Sequence, residues 1–468
     1  MEDHLSSLDA AFWGLESREA PLRLGALALF GPSGDTGTEE DLAGLLAERA
    51  MALPRLRQSV RHGWNPFDGP RWQDVPYFDA RFHVHVRRVA DAAALREARL
   101  LEGESALAAG GDTERGAPPW RLHVFSTGRP AEDGFALLAE FHHAAVDGLR
   151  AMELGAALFD PLERSRRRTP TASVPAPAPD EAEAPGGPGR LAGLLGLADP
   201  RRAVGALRGL PGQARRTRRA AEIAASVGSA AVGNALHPHA SPLHAPAGRR
   251  AFAFPTLPLD AVHRIRKTHG GTVNDVLLAV LSSALRGWLL AAGHDPAARP
   301  VRVLVPVSSR RRPGDTRLGN QLSGHLVRLP LDEDDPLARL RSVREAMLEH
   351  KDRGPRRGAG AFALLTDLVP PAAHRLAAPL LRDGAPLLFD ALATNVPLPD
   401  IPFTLGGAPL RALHPLAPLA RGHALAVAMT PYRGTVHFGL HGAAEAELPL
   451  EGLTSALREA LRELDATV

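Results

Sequence analysis

The chain has 468 residues, which exceeds one typical hydrophobic core and predicts two domains of about 150–250 residues each. Apolar residues make up 44% of it, enough for a globular fold, and the absence of cysteine excludes disulfides, thiolate nucleophiles and thiolate metal sites. The net charge is only +3 although the pI is about 9.8, because almost every cation is an arginine. Aromatic residues are only 5%, and no basic run is interleaved with them, so we expect no nucleic-acid partner.

Four short apolar stretches in the first third of the chain predict β-strands, and amphipathic stretches between them predict helices. The strands are expected at residues 24–30, 82–89, 122–126 and 135–141. The chain starts MEDH, without the basic region and apolar core of a signal peptide, and no stretch approaches about 18 uninterrupted apolar residues. We therefore expect a cytoplasmic protein without a membrane-spanning helix.

A histidine pair follows the fourth predicted strand directly, in residues 142–148 (HHAAVDG), and a stretch with helical spacing comes next. Because adjacent strand residues point to opposite faces, His142 and His143 are not expected to share a metal ion. One of them should face a channel and the other the core, in an order that the sequence does not give. An imidazole on rigid backbone, with Asp147 four residues on, indicates a general base. The plainer alternative is a hydrogen-bonded structural histidine at a strand end.

Composition divides the chain into three predicted parts. Residues 1–165 form an N-terminal domain, and residues 250–468 form a C-terminal α/β domain. Between them lies a linker, residues 166–249, with a Pro-, Ala- and Gly-rich stretch followed by an arginine-rich one, residues 201–232. The arginines indicate either a solvated helix that bridges the domains or a basic amphipathic surface that rests on anionic lipid. Within the C-terminal domain we expect an apolar helix at residues 274–290 and a buried strand at residues 301–307.

Residues 142–148 resemble the His-His-x-x-x-Asp-Gly signature of the chloramphenicol-acetyltransferase-like superfamily of acyltransferases and condensation domains. Further segments, in the expected order along nearly the whole chain, resemble landmarks of the bacterial wax ester synthase/diacylglycerol acyltransferase family. They are residues 5–13 (LSSLDAAFW), 118–120 (PPW), 274–279 (NDVLLA), 306–310 (PVSSR), 318–320 (LGN) and 394–397 (TNVP). Two positions depart from the family pattern, since Pro119 stands where Leu is usual and Leu398 where Gly is frequent.

This resemblance implies a fold of two chloramphenicol-acetyltransferase-like α/β domains, with mixed sheets flanked by helices and a tunnel between the domains. It implies an O-acyltransferase that uses long-chain acyl-CoA to esterify diacylglycerol to triacylglycerol, with wax esters from a fatty alcohol as a second product. It also implies that no cofactor is needed, because acyl-CoA is a substrate, and that the protein associates peripherally with the inner membrane or lipid droplets.

The resemblance assigns the role of general base to His143 and support of the motif to His142, Asp147 and Gly148. A neutral histidine can accept the hydroxyl proton during attack on the thioester and return it to the departing thiolate. Asp147 is expected to pair with an arginine or to cap the following helix, because a buried carboxylate needs partners. The chain has no Gly-x-Ser-x-Gly elbow, so direct transfer without an acyl-enzyme is expected.

Five further residues are candidates on the same resemblance. Asn274 either stabilises the tetrahedral oxyanion or caps the apolar helix, and capping is the more natural role for Asp275. Trp120 is expected to line the lipid channel, with a core position as the alternative. Arg310 can pair with the phosphates of coenzyme A, and Asn395 is placed at the substrate.

Three other functions stay open at this point. The chain can be a wax ester synthase proper, a condensation-type enzyme that uses a carrier-bound thioester, or a non-catalytic lipid-droplet-binding protein. The choice between diacylglycerol and fatty alcohol depends on the width of the tunnel, which the sequence does not reveal.

Overall fold

The computed structural model describes residues 3–17, 20–62, 69–96, 116–160, 241–246, 248–308, 320, 322–353, 386 and 388–468. Arg310 and most of the predicted linker, including its arginine-rich stretch, lie outside these residues. Within them the helices, numbered in chain order, are α1 (Ser7–Leu15), α2 (Glu39–Ala52), α3 (Pro130–Asp133), α4 (Gly148–Leu158), α5 (Leu259–His269), α6 (Val273–Ala291), α7 (Pro336–Arg353) and α8 (Leu450–Asp465). Short 3-10 helices cover Pro54–Arg57, Ala80–His83 and Ala94–Arg96.

The first sheet consists of six strands, which are β2 (Arg23–Phe30), β5 (Val84–Arg88), β6 (Trp120–Ser126), β7 (Phe135–His142), β13 (Thr404–Leu405) and β14 (Ala408–Leu416). Their order across the sheet is β13-β14-β2-β7-β6-β5. All neighbours are antiparallel except β5 and β6, which are parallel. The four predicted strands are confirmed, although the one expected at residues 82–89 starts only at Val84. Strands from beyond residue 400 complete this sheet, while the predicted domain boundaries stay predictions.

The strands of the second sheet are β8 (Arg250–Ala253), β9 (Thr256–Pro258), β10 (Val301–Ser308), β11 (Leu322–Leu329), β12 (Ala391–Asn395), β15 (Leu425–Tyr432) and β16 (Thr435–Ala443). The sheet is mixed, its order is β11-β10-β12-β15-β16-β8, and β9 also pairs with β16. A small third sheet joins β1 (Asp3–His4), β4 (Arg71–Asp74) and β3 (Gln58–Arg61). The buried strand predicted at residues 301–307 is confirmed, since Val301, Val303 and Val305 face the core.

Helices α2 and α4 cover one face of the first sheet, where Leu46 and Leu158 pack in one cluster with Leu137 and Phe141 of β7. On the opposite face, Leu138 belongs to a cluster that includes Phe252 of β8. The two sheets also meet at β14, because a Cβ at Gly439 would lie 1.8 Å from the carbonyl oxygen of Pro415. Strand β7 is therefore covered on both faces, which explains its nearly continuous apolar sequence.

Helix α6 confirms the predicted apolar helix and lies in the core of the second half, where Val276, Leu277 and Leu285 are fully buried. Among the described residues it is the one helix long and apolar enough to cross a membrane, and 67% of its apolar window is buried inside the protein. A helix that is apolar on all sides is expected in the centre of a large core as well as in a membrane.

Candidate active site

The candidate site forms where β7 ends at His142 and α4 begins at Gly148. Asp147 is the N-cap of α4, because its Oδ1 accepts the backbone N–H of Arg150 at 2.8 Å. The bond satisfies one of the N–H groups that a helix start leaves without a partner, and it gives the buried carboxylate of Asp147 a partner. The expected capping role of Asp147 is confirmed, and it fixes the turn that carries both histidines.

His142 is the core-facing member of the pair, with only 1% of its surface exposed. Its Nδ1 accepts the backbone N–H of Ala144 at 3.0 Å, so a neutral ring carries its proton on Nε2. That Nε2 lies 3.4 Å from Oε2 of Glu16, and the ring of Trp13 lies 4.8 Å away. These contacts on three sides fix the ring in the interior, so it supports the turn.

His143 is half-buried and stacks on the ring of Phe12 of α1, with the ring centroids 4.2 Å apart. Its backbone N–H donates to the carbonyl oxygen of Leu22 at 2.8 Å. Burial lowers the pKa of His143 to about 4, although the charge of Asp147 and the amide of Asn320 act in the opposite direction. The ring is therefore neutral at cellular pH and can accept a proton.

Asn320 joins this turn from the far end of the sequence. Its backbone N–H and its side-chain Nδ2 both donate to Oδ1 of Asp9, at 2.9 and 2.5 Å. Nδ2 donates in addition to the carbonyl oxygen of His143 at 2.7 Å. Asp9 lies on α1 and is 1% exposed; burial raises its pKa, and the bonds from Asn320 partly offset this shift.

Sequence reasoning missed Asp9, Phe12, Glu16 and Asn320 as members of the site. Asp9 and Phe12 belong to the opening segment, residues 5–13, and Asn320 ends the segment LGN, both of which had been recognised only as family landmarks. The available signal was a polar side chain inside each landmark. Glu16 follows the opening segment and carries no local signal of its own.

The segment TNVP, residues 394–397, lies next to the histidine motif of residues 142–148. A Cβ on Gly148 would lie 3.3 Å from Cγ2 of Val396, so glycine allows these two parts of the chain to come close. Val396 is held in place by a hydrogen bond, because its backbone N–H donates to the carbonyl oxygen of Met429 at 2.9 Å. Asn395 precedes it, and its Oδ1 is buried without a hydrogen-bond partner among the described residues. The expected contact of Asn395 with substrate stays a prediction, while Gly148 faces a side chain rather than open space.

Two sequence-based expectations need correction, one for Trp120 and one for Asn274. Trp120 does not line a channel: it is 2% exposed and donates its indole N–H to the carbonyl oxygen of Leu56 at 2.7 Å.

Asn274 does not cap α6, because Thr272 is the N-cap. Thr272 accepts the N–H of Asp275 at 3.2 Å, and the Asp275 carboxylate accepts the N–H of Thr272 at 2.8 Å. This reciprocal pair is a capping box, so the capping role expected for Asp275 is confirmed.

Asn274 is the second residue of α6 and is half-buried. Within the described ranges its side chain makes no hydrogen bond, so its amide is not committed to the helix end. Its role toward an oxyanion stays a prediction, as does the role of Arg310 toward coenzyme A.

A cavity of about 50 Å³ lies between β2, β7 and α4, and we call it the α4 cavity. Phe141 of β7 lines it and lies two residues before His143 in the sequence. Gly155 opens into it, because a Cβ built there meets no heavy atom within 4 Å. The lining residues carry only small or apolar side chains: Gly25, Ala26, Ala28, Leu137, Ala139, Phe141, Ala151, Met152, Gly155, Ala156, Leu158, Phe159, Leu398 and Leu413.

In the part of the chain that the structure describes, no group of three His, Asp or Glu side chains could hold a metal ion. The two histidines of the motif face different surroundings, as strand alternation predicts. That no cofactor is needed stays a prediction.

A family model described as "Wax ester synthase/diacylglycerol acyltransferase catalytic domain" matches residues 5–277, and "WS/DGAT C-terminal domain" matches residues 318–465. A Mycobacterium tuberculosis protein named "Probable diacylglycerol O-acyltransferase tgs1" is 30% identical over 94% of this chain and 90% of its own length. Another from that organism, named "Probable diacylglycerol O-acyltransferase tgs2", is 29% identical over 98% of both chains.

Among solved structures, the wax ester synthase/diacylglycerol acyltransferase from Marinobacter aquaeolei VT8 is similar with a TM-score of 0.64, at 22% identity over 99% of each chain. The trichothecene 15-O-acetyltransferase from Fusarium sporotrichioides gives a TM-score of 0.61 at 15% identity, over 99% of this chain and 95% of its own. These likenesses confirm the predicted fold class of two chloramphenicol-acetyltransferase-like α/β domains.

Proposed function

Because the chain belongs to the wax ester synthase/diacylglycerol acyltransferase family, and is therefore an acyltransferase, we propose that it makes triacylglycerol from diacylglycerol and long-chain acyl-CoA. Support for diacylglycerol as the acceptor comes from the two mycobacterial relatives named diacylglycerol O-acyltransferase, which align with nearly the whole chain. Fatty alcohol is the second acceptor that the family name supports.

The observation that carries the proposal is the environment of His143. Nε2 of the neutral ring accepts the proton of the acceptor hydroxyl while its oxygen attacks the thioester carbonyl carbon. The new C–O bond forms, the C–S bond breaks, and the proton passes from Nε2 to the departing thiolate. Since burial lowers the pKa of His143 to about 4, the ring starts every cycle unprotonated. No acyl-enzyme is required in this sequence of steps.

The α4 cavity supports a long acyl chain as the donor group. Its lining includes Phe141, two residues before His143, and is apolar, so methylene groups that enter it leave water. Small residues at Ala151 and Gly155 leave room beside the helix, and Gly155 has no neighbour within 4 Å of its missing Cβ. The acyl carbonyl then remains near the end of β7, where the base is.

The test is an assay of the purified protein with labelled palmitoyl-CoA and either dioleoylglycerol or hexadecanol, followed by separation of the neutral lipids. We expect labelled triacylglycerol as the main product and a wax ester as a minor one. Wax ester alone would make the protein a wax ester synthase, and product only from a carrier-bound thioester would make it a condensation-type enzyme. The absence of product from every donor would leave a lipid-binding protein.

We further propose that the enzyme works without a cofactor, in the cytoplasm, at the surface of the inner membrane or of lipid droplets. Both substrates carry long acyl chains, so an enzyme that uses them has to reach a lipid surface. Dialysis against a chelator should leave turnover unchanged, and a loss restored by a divalent metal would contradict the cofactor-free reaction.

A further inference from the structure

We propose that Asn320, held by Asp9, is a positioning residue for His143 that fixes its turn and keeps the proton on its Nδ1. The inference rests on the proposed function in one respect only, namely that His143 is the base. It assigns a purpose to two buried polar residues that lie 311 positions apart in the sequence.

The orientation of the Asn320 amide follows from its neighbours. Nδ2 lies 2.5 Å from Oδ1 of Asp9 and 2.7 Å from the carbonyl oxygen of His143, and both of these atoms are acceptors. With the amide turned over, its oxygen would face two oxygens at these distances, which is repulsive. The two hydrogens of Nδ2 are therefore both used, and Oδ1 points away from Asp9.

That orientation leaves two buried polar atoms in the same region. Oδ1 of Asn320 and Nδ1 of His143 are each buried without a hydrogen-bond partner among the described residues. Hydrogen bonding by the backbone of His143 itself, and to a smaller extent by the Asn320 side chain, raises the pKa of the His143 ring. One atom is an acceptor and the other is a donor when Nδ1 carries the proton, and a buried polar atom that stays unpaired is destabilising.

The consequence is a defined tautomer. With its proton on Nδ1, the ring presents the lone pair of Nε2 to the acceptor hydroxyl, which is the arrangement that general-base catalysis needs. The Asn320 amide favours this tautomer without adding a charge next to the ring. The titratable groups that face the ring are His142 and Asp147 from the same turn, with Asp9 of α1 behind the amide.

The test exchanges the two side chains. Asn320→Asp alone brings two carboxylates together and Asp9→Asn alone brings two amides together, so both single variants should have lower melting temperatures. In the double variant the amide at position 9 can accept the backbone N–H of residue 320 and donate to the carboxylate there. We therefore expect the melting temperature to recover.

Turnover should not recover in the double variant. The carboxylate at position 320 has no N–H for the carbonyl oxygen of His143, and its charge favours a protonated ring. We expect kcat to fall by about 10-fold to 100-fold, a loss similar to that seen when a partner that orients a metal-bound histidine is removed. The acid limb of kcat/KM should move to higher pH by about one unit or more. As a matched control, Asp41→Asn weakens the capping box of α2 and should lower stability without moving the acid limb.

A double variant with wild-type kcat and an unchanged acid limb would overturn the proposal, because a purely structural pair would be fully repaired. A second measurement works without turnover: ¹⁵N NMR of labelled histidine, with the His143 signals assigned by their loss in His143→Gln. The wild type should show the proton on Nδ1, and Asn320→Ala a mixture of tautomers; an unchanged tautomer would contradict the role of Asn320. Full activity of His143→Gln would instead remove the base, which is a separate failure.

Discussion

Replacing Gly155 by leucine should shorten the acyl chains that the enzyme accepts. Gly155 lies in α4 and lines the α4 cavity, and no heavy atom lies within 4 Å of where its Cβ would be. A leucine there projects into the cavity instead of against a neighbouring side chain. The helix itself should gain, because leucine has a higher helix propensity than glycine by up to about 1 kcal/mol.

The size of the effect follows from the space available. The cavity measures about 50 Å³, so the leucine side chain fills much of it. We expect it to displace about two methylene groups of a long chain, each worth about 0.8 kcal/mol when buried. The resulting loss of roughly 1.6 kcal/mol corresponds to a fall of about 15-fold in kcat/KM for long-chain donors. A donor too short to reach Gly155 loses nothing.

The assay is kcat/KM with dioleoylglycerol and acyl-CoA donors of increasing length, from eight to eighteen carbons. Gly287→Leu is the matched control, because Gly287 is an exposed glycine of α6 that also has no atom within 4 Å of its missing Cβ. The control should keep the wild-type preference for chain length. An unchanged preference in Gly155→Leu, or an equal loss with all donors, would show that the acyl chain lies elsewhere.

Four further experiments test the site and the fold. His143→Ala should lower turnover by about 10² to 10⁴-fold at an unchanged melting temperature, whereas His142→Ala should mainly lower the melting temperature; wild-type turnover in both would refute the base. Asn274→Ala should leave α6 stable, because Thr272 caps it, and should lower turnover by about 10² to 10³-fold; full turnover would exclude an oxyanion role. Changing Arg215, Arg216, Arg218 and Arg219 to Glu should weaken sedimentation with anionic liposomes but not turnover of soluble short-chain substrates, and unaltered sedimentation would contradict the lipid-surface reading. Urea midpoints should fall as the pH drops from about 6.5 towards 3, because burial lowers the pKa of His123 and His441 to about 3 and the unfolded chain then binds more protons; a flat profile would contradict this.

The strands of the first sheet were predictable where their limits depend on neighbouring residues in the sequence. Strands β2, β6 and β7 lie within a residue or two of their predicted bounds, because each is an apolar run that ends at turn-forming residues. The strand expected from Phe82 begins late for a local reason too. Asp79 accepts the N–H of Arg81 and holds a 3-10 turn there, which leaves Phe82 79% exposed. Counting apolar residues does not detect such a side-chain cap.

Long-range pairings were not predictable from one sequence. Nothing in the composition of β14 indicates that it joins β2 of the first sheet and contacts the second, because either neighbour suits an apolar strand. The bonds between Asp9 and Asn320 are likewise invisible until the fold brings the residues together. The capping of α6 is the opposite case, since Thr272 and Asp275 are three residues apart and match the capping-box pattern, which would have excluded Asn274 as the cap.

The low pKa of His143 also bears on the transfer proposed above. Lowering the pKa from about 6.5 to about 4 makes the protonated ring less stable by on the order of 3 kcal/mol, so a long-lived imidazolium is unfavourable. In the proposed reaction we therefore expect the proton to move while the hydroxyl oxygen attacks and to leave again when the C–S bond breaks. We expect such a base to need a fixed position more than a high basicity. The cap at Asp147 and the amide of Asn320 hold the backbone turn that carries His143, and the ring of Phe12 stacks on its imidazole.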